Sequence, residues 1–185
     1  MDPIAALNQS LDQTSAIVSA VTPEQLGDQT PCSEFDVRAL LNHLTGAITA
    51  LTTGITTGQT DLSLFTQDLI GDDPTAAFNT AAAAAKAAAT PAVLNEAVAM
   101  PFGTVPGAVA LSVATLEALQ HGWDLARATG QTAAMDAALA ETGIEMAKQF
   151  PEELVRQPGV WGPANECSAS APAYDQLAAF LGRQP

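Results

Sequence analysis

Cations are scarce in this sequence. Six Lys+Arg stand against twenty Asp+Glu in 185 residues, a formal charge of -14 with a pI of about 4.1. A surface that follows phosphates needs clustered cations, so nucleic acid is excluded as a main partner. An anionic membrane face is disfavoured on the same ground. Cysteine is equally sparse: Cys32 and Cys167 cannot make a disulfide framework. No run reaches the ~18 apolar residues of a spanning helix, and no basic start leads into an apolar stretch as in a signal peptide. Alternating β-branched runs are nearly absent, which argues against sheet. What remains is apolar and rich in alanine, with 48% hydrophobic and 14% charged residues and a mean hydropathy of +0.16. A chain of this size buries roughly 70% of its unfolded surface without cross-links. The expectation is one acidic, cytoplasmic domain spanning residues 1–185.

The punctuation places the helices. Asp2 is an N-cap with Pro3 at the first helical position, and Ile4, Leu7, Leu11, Val18 and Val21 keep the period up to Thr22-Pro23. A second helix begins near Glu34-Phe35-Asp36. Its Val37, Leu41, Leu44, Ile48, Leu51 and Ile55 repeat by four and three, as in a bundle seam, and it ends in the stretch Thr52 to Gly58. Asp73-Pro74 opens a third helix that Pro91 stops after Thr90. An irregular stretch carrying Pro101-Phe102-Gly103 precedes a fourth, from about Pro106 to Thr129, with Gly130 as its C-terminal cap. A fifth spans Ala133 to Gln149. A loop with Pro158-Gly159 and Gly162-Pro163 leads to a short last helix from Pro172 to Leu181. The predicted fold is all-α: an antiparallel four-helix bundle with additional short helices.

The chain has two histidines, and both fall inside helices. At roughly 100° per residue, Glu117 and His121 lie about 40° apart on the fourth helix, with Asp124 about 20° to the other side of Glu117. Ala110, Val113, Ala114 and Ala128 share that stripe. One reading is a surface pair at i, i+4. His43, in line with Ala47 and Ala50, by itself reads as a core or rim histidine bonded to a carbonyl. Taken together, two imidazoles and a carboxylate make a three-ligand set that leaves positions open on a divalent metal. Asp124 would orient an imidazole or pair with Arg127 or Arg38. Trp123 reads as a packing residue, and Cys32 as a small buried hydrophobe or a thiol that approaches the metal cavity. Arg127 would meet an anionic ligand or make an ion pair at the end of its helix.

The segment Thr30-Pro-Cys-Ser-Glu-Phe-Asp-Val-Arg-Ala-Leu-Leu-Asn-His43 resembles the start of the second helix in the DinB/YfiT-like metalloprotein superfamily. More narrowly, it is similar to the metal-binding N-terminal domain of mycothiol-dependent maleylpyruvate isomerase. The run Leu116-Glu-Ala-Leu-Gln-His-Gly-Trp-Asp-Leu-Ala-Arg-Ala-Thr-Gly130 resembles the second signature of that group. The closing Phe180-Leu-Gly-Arg-Gln-Pro185 fits its shorter, single-domain members. Phe35 stands where the group often has Trp. The resemblance implies that His43, Glu117 and His121 hold the metal, with mycothiol as thiol co-substrate and S-transfer or isomerisation of a small electrophile as the reaction. The ligand set suits zinc, with nickel or iron as alternatives. A non-catalytic metal or ligand-binding module is the other reading, and a bundle that binds no metal is a third. A homodimer is the default assembly.

Overall fold

Aspartates and prolines set the helix boundaries. The structure, a computed structural model, describes residues 1–157 and 160–185. It is mostly helical: α1 (Pro3–Ser19), α2 (Val37–Thr57), α3 (Pro74–Ala88), α4 (Gly107–Thr129), α5 (Ala137–Ala147), α6 (Glu152–Val155) and α7 (Ala173–Phe180). Side chains of Asp2, Asp36, Asp73 and Asp136 accept from the free backbone N–H groups of Ala5, Ala39, Ala76 and Ala138 at 2.8–3.0 Å. Gly130 closes α4 in the left-handed conformation, φ +75°. The Pro158-Gly159 turn expected from sequence lies outside the described residues.

Three elements depart from the sequence reading. The expected irregular stretch is a hairpin, β1 (Ala97–Met100) with β2 (Gly103–Pro106), in which Met100 faces Gly103. Ala99 ties it to the end of α2: its N–H donates to the Gly58 carbonyl at 2.8 Å and its carbonyl accepts from Thr60 at 3.1 Å. The fifth helix starts later than Ala133. A 3-10 turn at Thr132–Ala134 comes first, and the Asp136 cap then opens α5. The short α6 has no counterpart in the sequence reading.

α1 packs on α3 and α4, and α2 packs on the same two helices. Leucines and small residues fill the space between them, with Leu7, Leu11, Leu40, Leu44, Ile48 and Leu111 all essentially inaccessible. A second cluster forms where α5 and α7 cover the other side of α4, around Trp123, Leu119 and Leu177. No helix among the described residues is long and apolar enough to cross a membrane.

The hairpin meets α4 at Gly107, whose N–H donates to Glu96 at 2.8 Å. A Cβ there would stand 2.0 Å from the Val93 carbonyl oxygen, which is backbone and cannot swing aside. Gly107→Ala should therefore lower stability by about 3 kcal/mol, read as a fall in urea midpoint at constant slope. Within the second cluster, Tyr174 accepts from Gln13 Nε2 at 2.6 Å, and burial pushes its phenol up to about 12. The unfolded chain ionises this group near 10, so it releases its proton first as pH rises. The folded state then loses about 2–3 kcal/mol between pH about 10 and about 12, and Tyr174→Phe should remove that slope from the alkaline unfolding curve.

Candidate metal centre

The packing of α2 against α4 brings His43 opposite Glu117 and His121. His43 Nε2 lies 3.7 Å and His121 Nε2 3.5 Å from the same Glu117 Oε2. One ligand atom from each of the three falls within 4.8 Å of the others. Ligands about 2.0–2.2 Å from a shared zinc ion would stand about 3–3.5 Å apart, so the set fits one ion with small adjustments. Glu117 Oε2 is buried and has no hydrogen-bond partner. An orphaned carboxylate oxygen facing two imidazole nitrogens is costly unless a cation joins them. Burial alone would raise the Glu117 carboxyl. The facing His43 imidazole and the charges of His121 and Arg183 outweigh it, holding the group below the usual carboxylate range.

Behind His121 stands Asp124, fully buried. Its Oδ2 lies 3.0 Å from His121 Nδ1. A carboxylate only accepts, so this contact keeps a proton on Nδ1 and turns Nε2 toward Glu117. Arg183 donates to the same carboxylate from Nε at 3.1 Å and from Nη2 at 3.0 Å, with Gln120 Nε2 at 3.4 Å. Asp124 thus orients an imidazole and makes an ion pair, but its partner is Arg183, near the end of the chain, rather than Arg127 or Arg38. Arg127 lies over the Trp123 ring, 5.4 Å from its centre, and is not among the described residues lining the cavity. Trp123 is buried and donates to Asp175 at 3.1 Å, so it serves packing.

His43 is held by rings. Phe35 stacks on it at 4.9 Å, Phe65 lies 5.7 Å away, and His121 meets it edge-on at 4.9 Å. Asn42, one residue earlier, fixes the loop carrying Phe65: its Nδ2 donates to Gln67 and its Oδ1 accepts from Leu69. The three candidate ligands open into a cavity of about 600 Å³ walled also by Phe102, Trp161, Cys32 and Arg183. The hairpin supplies Phe102. Arg156 steadies the Trp161 loop by donating to the Gly162 and Phe180 carbonyls, both at 2.8 Å. Burial pushes the Cys32 thiol up, and Arg183 only partly counters it. Sequence reasoning missed Arg183, Phe65, Phe102 and Trp161 as cavity residues, since none carries a local signal for the site.

This arrangement defines a mostly helical protein with a two-histidine, one-carboxylate constellation at the wall of a cavity. Residues 7–126 match the family described as mycothiol maleylpyruvate isomerase N-terminal domain. The chain belongs to that family. Two similar proteins, uncharacterized protein MT0763 and uncharacterized protein Rv0738, come from Mycobacterium tuberculosis strains CDC 1551 / Oshkosh and ATCC 25618 / H37Rv. Each is 35% identical over 185 residues, covering 99% of this chain and 98% of its own. The crystal structure of the mycothiol-dependent maleylpyruvate isomerase shares the fold, with a TM-score of 0.53 at 17% identity. That match covers 66% of this chain and 59% of the isomerase.

Proposed function

We propose that this chain holds one divalent metal through His43, Glu117 and His121, and acts with a mycothiol-type thiol as an S-transferase or isomerase of a small electrophile. The observation that carries the reading is the buried, unpartnered Glu117 Oε2 facing both Nε2 atoms. Family membership supports the thiol. Zinc suits a set of two imidazoles and one carboxylate, and nickel or iron would be held by the same residues. When bound, the metal would supply Lewis acidity that makes a thiolate available near neutral pH. The protein's own residues do the rest. Asp124 holds the His121 ring through Nδ1, and Phe35 and Phe65 hold the His43 ring. The architecture we infer is a four-helix bundle of α1 to α4, extended by α5 and α7 within a single cytoplasmic domain.

Cobalt substitution tests the thiol step. Cobalt-loaded protein should show a new thiolate charge-transfer band on adding mycothiol, together with thiol-dependent turnover in an electrophile panel. A spectrum indifferent to thiol, with no turnover, would overturn the enzymatic reading and leave a binding module.

A further inference from the structure

The cavity is longer than the metal centre needs. Its walls run from His43 along α2 to Ala47 and Leu51, and along α4 from Glu117 back to Val113. Eight residues of helix separate His43 from Leu51, a distance of about 12 Å. The segment after α2 doubles back along this course. Thr60 passes Gly54 and Leu64 passes Gly46, where an added Cβ would stand 2.8 Å from the Thr60 hydroxyl and 2.9 Å from the Leu64 carbonyl oxygen. Gln67 and Leu69 then bond to Asn42. Phe65 therefore stands near His43, and Leu62 over the far half of the groove. The hairpin walls that half with Met100 and Phe102. Thr60 Oγ1 donates to Met100 Sδ at 3.4 Å, so this hydroxyl is already bonded within the protein. Leu62 stays 50% and Phe65 38% exposed. Large apolar side chains left wet around a concave site gain most when an apolar ligand covers them.

The opposite direction is shut. Beyond His121 the fully buried Asp124 fills the space, held there by Arg183. A ligand whose head reaches His43, Glu117 and His121 therefore extends one way only, toward the hairpin. Carbon–carbon bonds of about 1.5 Å laid in zigzag fill that length with about eight carbons. From this one-way groove we infer that the cavity takes a ligand with a metal-binding head and an extended apolar chain, alkyl or acyl, lying between α2, α4 and the hairpin. The head rests on the metal site proposed above, whereas the chain rests on the walls alone. Within that function, the electrophile is one that carries such a chain.

A chain-length series tests this. Linear hydroxamates, from acetohydroxamate to decanohydroxamate, are titrated calorimetrically into protein of measured metal content, and again after chelation. Up to about eight carbons each added methylene should tighten binding about threefold, and beyond that the gain should stop. Chelation should weaken every member by a similar factor and leave the threefold step in place. Val113→Phe fills the groove one turn from Glu117, so its gain should stop at about four carbons. Leu62→Ser should blunt the gain of the longer members only. Metal content and circular dichroism should match wild type in both variants. A flat series would overturn the inference. So would a gain that neither variant changes, which is the mark of unspecific apolar binding. A full threefold step with affinities the same before and after chelation would defeat the metal site proposed above and leave the chain-binding groove standing.

Discussion

Glu117→Gln, His43→Ala and His121→Ala are each expected to cut bound metal from about one equivalent to about a tenth or less, by plasma mass spectrometry on tag-free protein. Glutamine matches glutamate in size, so the first variant tests charge rather than packing. It replaces an anionic oxygen beside two imidazoles with a neutral amide, removing the strongest donor of the set. Each histidine variant removes one of two nitrogen ligands and leaves too few groups to hold the ion. Glu34→Gln is the control. That carboxylate also lines the cavity but is absent from the cluster, so its loss should leave metal content unchanged. A wild type that carries no metal and refuses added zinc would overturn the site. So would a Glu117→Gln protein that keeps its full equivalent.

Helix geometry explains why much of this site could be read before any coordinates. Positions 117, 121 and 124 are bound to one face by the helical repeat, and the caps at Asp36 and Gly130 set where α2 begins and α4 ends. The pairing of His43 with that face is a tertiary fact. Resemblance supplied it, since no local pattern fixes which side of α2 meets α4. Elements held by long-range contacts stayed hidden. The hairpin has only four residues per strand, several of them alanine or glycine, and it persists because Ala99 pairs with backbone at Gly58 and Thr60. Arg183 lies far along the chain from Asp124, and its arrival depends on how α7 packs against α4. The late start of α5 follows from competition between two openings, with Asp136 providing a side-chain cap that the 3-10 turn at Thr132 lacks.

Asp124→Ala is expected to cost more stability than any other single substitution at the site, about 3–5 kcal/mol, and to lower metal affinity by about 10–100-fold. The stability loss arises because Arg183 is left partly buried, having lost its partner, and because Gln120 and His121 each lose an acceptor. The affinity loss has a separate origin. Without Asp124, nothing on this side keeps the His121 proton on Nδ1, so the ring is free to turn and to protonate the nitrogen that should face the metal. Urea unfolding in chelator isolates the first effect, and zinc titration against a competing chelator isolates the second. The double variant Asp124→Ala/Arg183→Met separates the causes further. Removing both charges should restore much of the stability and none of the affinity, since a methionine side chain needs no partner while His121 remains unsupported. Recovery of both together would mean that Asp124 matters only as a counter-ion. A stability loss under about 1 kcal/mol in the single variant would show that the ion pair is solvated and that the chain end does not depend on it.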